Sequence, residues 1–110
     1  MSKLSEGILA GRFMVTSELN PPKGTNLEPM FERARSLKDY VDAFNITDSH
    51  AAKMSISPLA TAHLLMDQDI EPIMQMTSRD RNRIALQGDL LGAGALGIPN
   101  IVFMGGDPPK

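Results

Sequence analysis

Apolar and polar positions along this chain switch repeatedly between two rhythms: alternation over short runs, and three-to-four spacing over longer ones. The first short run is Phe13-Met14-Val15-Thr16-Ser17-Glu18, closed by Asn20-Pro21-Pro22-Lys23-Gly24. Two successive prolines there can continue neither a ladder nor a helix. Thr25 or Asn26 then caps a helix with Glu28 and Pro29 in its first turn. Its apolar stripe is Leu27, Met30, Phe31, Ala34, Leu37 and Val41, and Glu32, Arg33, Arg35 and Lys38 fall between. A second strand spans Val41 to Thr47, and Ser57-Pro58 opens a second helix from Leu59 to Gln68. Ile70 to Thr77 is the third strand, with Pro72 restricting its pairing near the start. A third helix follows from Arg83 to Leu96, ended by Gly97 and Pro99. A fourth strand, Ile101 to Met104, runs into Gly105-Gly106-Asp107-Pro108-Pro109. A short helix from Leu4 to Ala10 precedes the series.

Strands alternating with helices predict parallel strands joined by right-handed crossovers. Acidic residues recur at the strand ends, Glu18, Asp48, Asp80 and Asp107, at intervals of 30, 32 and 27 residues. Such intervals suit either a (β/α)8 barrel or a doubly wound sheet. Side-chain alternation separates the two. One face collects Thr16, Glu18, Asn45, Thr47, Gln75 and Thr77, together with Ile101, Phe103, Gly105 and Asp107. The other collects Val15, Phe44, Ile46, Met74, Met76, Val102 and Met104. Polar residues on one face, gathering toward the C-terminal strand ends, match a barrel interior; a sheet covered on both sides would read as near-continuous apolar runs. The expected architecture is therefore α/β, a (β/α)8 TIM barrel, of which residues 1–110 supply the first four strands and the helices between them. Glu18 and Asp107 face the mouth and are the catalytic candidates. Asp48 and Asp80, one step out of phase or in the loops, are expected to cap helices or to position backbone.

Composition narrows the chemistry. Apolar residues make up 42% and charged residues 22% of 110, in the range of a folded domain and not a disordered segment. There is no cysteine, which excludes disulfides, thiolate metal sites and cysteine nucleophiles. A net charge of −2 without a basic tract argues against nucleic acid. No run approaches the roughly 18–20 apolar residues of a membrane span, and the first residues lack a signal's apolar core, so the expectation is cytoplasmic. His50 and His63 are too far apart in sequence for a tight ligand pair, and no metal site is expected. Arg79, Arg81 and Arg83 straddle a loop and a helix start able to hold phosphate, though surface charge is the plainer reading. Gly105 and Gly106 would let a planar ligand approach the backbone, or simply permit a turn.

Five segments, taken together, resemble one family: Thr16-Ser17-Glu18-Leu19-Asn20-Pro21-Pro22-Lys23-Gly24, Asn45-Ile46-Thr47-Asp48, Thr77-Ser78-Arg79-Asp80-Arg81-Asn82, Leu86-Gln87-Gly88-Asp89-Leu90-Leu91-Gly92-Ala93 and Gly106-Asp107-Pro108-Pro109. In this order they resemble methylenetetrahydrofolate reductase. The Arg-Asp-Arg-Asn form is similar to the branch that includes bifunctional homocysteine methyltransferase–reductases. The resemblance implies a flavoprotein in which NAD(P)H reduces FAD, and the flavin reduces 5,10-methylenetetrahydrofolate to 5-methyltetrahydrofolate. It implies that Glu18 is the general acid that assists opening of the folate's five-membered ring, and that Asp107 lies near flavin and pterin. It places Thr47, Asp48, Gln75, Thr77, Gly105, Gly106 and Asp107 at the cofactor. Gly105 stands where some members have a basic flavin contact, and Gln75 where some have histidine. The expected partner is a folate, with no nucleic acid and no membrane, and with a homo-oligomer or a fused methyltransferase domain left open. A barrel of about 250 residues would leave this length inactive alone. The alternatives are a flavin-independent, pterin-binding methyltransferase barrel, and a non-catalytic half-barrel that assembles with a partner.

Overall fold

A computed structural model describes residues 1–109. Strands β1 (Thr16–Leu19), β2 (Ala43–Ile46), β3 (Pro72–Thr77) and β4 (Ile101–Met104) are all parallel and lie in the order β1-β2-β3-β4. Helices α2 (Glu28–Leu37), α3 (Pro58–Met66) and α4 (Arg83–Ala95) connect them, and α1 (Lys3–Leu9) precedes them. The chain is thus an α/β fold with its strands in sequential order, the arrangement of three consecutive βα units and a fourth strand of a TIM barrel.

Local chemistry accounts for most element limits. Ser57 caps α3, its Oγ accepting from Leu59 N–H at 3.1 Å. Asn82 caps α4, its Oδ1 accepting from Ala85 N–H at 2.9 Å. After α4, Gly97 takes a φ of 73°, a left-handed conformation that costs glycine little, and the next N–H, of Ile98, returns to Ala93 O. Two expectations shift. The helix α2 is preceded by Leu27, which makes no side-chain cap, and Asn26 Oδ1 instead reaches Glu28 N–H at 3.3 Å. β1 begins at Thr16 rather than Phe13, because Val15 is engaged by Asp42, N–H to Oδ2 at 2.8 Å, and Phe13 is exposed. The loop before α3 contains a single 3-10 turn, His50–Ala52.

The core lies between the outer sheet face and the helices. Leu19, Phe44 and Ile46 pack with Leu27, Met30 and Ala34 of the α2 region and with Leu65 and Ile70. Met74 and Met76 pack with Ala62, Ala93 and Ile98, flanked by Leu86, Leu90 and Ile101. On the opposite face Asn45 Nδ2 donates to Thr16 Oγ1 at 3.2 Å, which places these two residues together as the alternation requires. For the last strand the expected phase is reversed. Gln75 pairs with Val102 and Thr77 with Met104, so Val102 and Met104 share the inner face. Ile101 and Phe103 share the outer face with Met74 and Met76. Ile-Val-Phe-Met is apolar at every position, so alternation carries no phase there; the register is set by Met74 N–H bonding to Asn100 O at 2.9 Å.

At the N-terminal end of the sheet, the Glu71 carboxylate accepts from the N–H groups of Lys3 (2.7 Å) and Leu4 (3.0 Å) at the start of α1. Asn100 Nδ2 donates to the same carboxylate at 3.1 Å, and Ser2 Oγ donates to Asn100 Oδ1 at 2.7 Å. A carboxylate at a helix N-terminus satisfies orphan donors and opposes the helix dipole.

Candidate active site

At the C-terminal ends of the strands a cleft of about 340 Å³ receives side chains from β1, β3 and β4 and from the residues just after β2. Glu18 enters from β1, Thr47 and Asp48 from just after β2, Gln75 and Thr77 from β3, and Met104 from β4. The strand β4 stops at Met104, and the turn at Gly106, with φ 86°, carries Asp107 to the same cleft. Asp107 therefore arrives by a turn and not by strand parity. Gly105 is exposed with open space where a Cβ would sit, and it is not among the lining residues. A Cβ on Gly106 would meet Arg79 Nη1 at 3.1 Å and Thr77 Cβ at 3.3 Å, so a side chain there is opposed by both space and conformation.

The floor is a closed hydrogen-bond network. Thr47 is buried and its Oγ donates to Asn20 Oδ1 at 2.9 Å. Asp48, buried although charged, reaches across to β3: its Oδ2 accepts from Thr77 N–H at 2.8 Å and from Thr77 Oγ1 at 3.3 Å. Arg81 completes it, donating Nη1 to Asp48 Oδ2 and to Thr77 O, and Nε to Asp89 Oδ2 at 3.0 Å. The hydrogen bond to Asp48 raises the Arg81 pKa beyond its already high value. The buried Asp48 carboxylate is thus matched by the Arg81 guanidinium and by the two Thr77 donors.

The rim takes a backbone conformation uncommon for its residue types. Ser49, Ala51 and Ala52 all have φ between 48° and 59°, left-handed backbone that costs a non-glycine residue stability. Arg79 lies over this loop. Its Nη2 donates to Ser49 O at 3.1 Å, and its Nη1 donates to Asp107 O at 3.0 Å. Nε and Nη2 also grip Asp80 Oδ2 at 2.9 and 2.8 Å, which raises the Arg79 pKa and lowers that of Asp80. Arg79 and Arg81 are thus both turned into the structure, contrary to a surface-charge reading; the signal for Arg79 was its spacing of two from the inward Thr77.

Five polar lining side chains are left over, Ser49 and His50 on the rim and three deeper in the cleft. Glu18, Gln75 and Asp107 line the cleft and make no side-chain hydrogen bond among the described residues. An acid, an amide with one donor and one acceptor edge, and a second acid converge on a space bordered by a glycine. That set suits a planar heterocycle carrying amide-like groups, with a proton donor beside it. The methylenetetrahydrofolate reductase family model matches residues 3–110. The chain belongs to the methylenetetrahydrofolate reductase family. No curated protein matches it. The methylenetetrahydrofolate reductases are oxidoreductases that depend on FAD. Among the described residues no helix is long and apolar enough to cross a membrane.

Proposed function

We propose that the chain supplies the first four strands, with the three helices between them, of a flavin-dependent reductase barrel that converts 5,10-methylenetetrahydrofolate to 5-methyltetrahydrofolate at the expense of NAD(P)H. The observation that carries this reading is the convergence of Glu18 and Asp107, from opposite edges of the sheet, on one cleft beside the uncommitted amide of Gln75. When bound, FAD relays a hydride from the nicotinamide to the folate. The residues present fit that group: Gln75 offers a donor and an acceptor to a ring edge, and Gly106 keeps the wall free of a side chain.

Glu18 is exposed to the cleft, so a folate can reach its carboxyl, which gives its proton to the ring nitrogen that leaves as the five-membered ring opens. The hydride then arrives at the methylene carbon, and the substrate gains one hydride and one proton in total. Asp107 places a negative charge at the same cleft, favouring cationic character in the opened folate and opposing negative charge on the ring system beside it. Thr47, Asp48 and Thr77 serve as the floor: Asp48 and Arg81 hold the β3 end in register with the β2 end, so that Gln75 and Thr77 keep their places.

In the complete barrel, Glu18→Gln is expected to leave flavin reduction by NAD(P)H near the unaltered rate while slowing folate reduction about 10²–10⁴-fold. Stopped-flow measurement of the two half-reactions checks this, and an equal loss in both would remove Glu18 from the acid role. Asp107→Asn is expected to slow the folate half-reaction and to raise the flavin's reduction potential; unchanged values of both would leave Asp107 as a turn residue. A protein that binds pterin and transfers methyl groups without flavin would support the methyltransferase reading instead.

A further inference from the structure

Arg79 is the only lysine or arginine among the described residues lining the cleft. Its side chain is 11% exposed. A guanidinium carries five N–H donors. Four are committed: Nε and one hydrogen of Nη2 to Asp80 Oδ2, the other hydrogen of Nη2 to Ser49 O, and one of Nη1 to Asp107 O. The fifth, on Nη1, has no acceptor among the described residues, in a side chain otherwise locked in place. The same nitrogen lies 3.1 Å from where a Gly106 Cβ would be, so the absence of that side chain keeps its surroundings open. Gly105 next to it likewise has open space.

We propose that Arg79 binds the cofactor directly, donating its fifth N–H to a charged or strongly polarised oxygen of the flavin while its other donors hold the loops that carry Ser49 and Asp107. This rests on the flavin reading above and adds a contact to it. The donor arrives preorganised: its rotamer is set by three protein acceptors, so little side-chain freedom remains to be lost on binding. The acceptor can lie on the isoalloxazine ring or on the phosphate chain, both of which present such an oxygen.

The test is fluorescence titration of the complete barrel, unaltered and as Arg79→Gln and Arg79→Lys, with FAD, FMN and riboflavin. A hydrogen bond from a charged donor corresponds to about a 10–100-fold loss of affinity on Arg79→Gln. Losses for all three flavins locate the oxygen on the ring; losses for FAD and FMN but not riboflavin locate it on the phosphate. Lysine keeps the charge and can donate to the ligand, but it cannot bridge both loop carbonyls and Asp80. Recovery of most of the affinity in Arg79→Lys therefore supports a direct contact, whereas Arg79→Lys as weak as Arg79→Gln overturns it in favour of loop-holding alone. Unaltered affinity in Arg79→Gln also overturns it and leaves the flavin reading standing. Absence of flavin binding by the unaltered barrel overturns both.

Discussion

Asp48 follows the inward-facing Thr47 by one position, and alternation alone sends its side chain away from the cleft. It reaches sideways instead, to the N–H of Thr77 on the next strand and to Arg81. Its departure from strand phase was legible, but its partners were not, because Arg81 lies 33 residues away and nothing local pairs them. Removing it strands a buried N–H and an inward-turned guanidinium. Asp48→Ala is accordingly expected to cost about 3 kcal/mol in urea unfolding, and Asp48→Asn less, since the amide oxygen still accepts from Thr77. Asp80 answers to pH. The hydrogen bond from Arg79 lowers its folded pKa, so the pair's contribution is fully present above the unfolded carboxylate value of about pH 4 and is lost as pH falls through the lower folded value. Asp80→Asn is expected to flatten the stability profile in that acidic window; a profile unchanged below pH 4 would assign the acid response elsewhere.

Among the elements, helices were the easier reading, since their apolar stripes and their terminal Ser57, Asn82 and Gly97 are local signals. Strand phase was legible wherever a strand mixed polar and apolar residues, as in Ala43-Phe44-Asn45-Ile46, and illegible in Ile101-Val102-Phe103-Met104. There only the neighbouring strand decides which face is inner. The 3-10 turn at His50–Ala52 carried no signal either, because alanine is not a residue that announces φ near 57°. Its strain is measurable. Ala51→Gly is expected to raise stability by about 0.5–1 kcal/mol, the relief of left-handed backbone outweighing the added freedom of the unfolded chain. A lower melting temperature in that variant would show that Ala51 is unstrained.

On the scale of the molecule, the parallel arrangement and the C-terminal placement of the cleft followed from the alternation of strands and helices, while the cleft's cation and rim depended on contacts between distant loops. Among the described residues both outer strands have one neighbour only, and apolar side chains lie open there: Val102 at 39%, Phe103 at 58%, and Phe13 at 93% beside the start of β1. Open strand edges carrying apolar groups favour pairing with further strands. Residues 1–110 by themselves are expected to self-associate with rising concentration in analytical ultracentrifugation, and Phe103→Lys to shift them toward monomer. A monomer across the whole concentration range would show that these edges are inert.

The Glu71 carboxylate that seats the start of α1 also bears on the order of events in folding. The helix α1 is the first element in the chain, yet its anchors lie 67 to 98 residues later, at Glu71 and Asn100. Closing so long a loop is costly until the strands between are in place. The helix is then expected to dock late, waiting on β3 and on the approach to β4. Glu71→Ala should accelerate unfolding and leave the refolding rate nearly unchanged, the kinetic mark of a contact formed after the barrier.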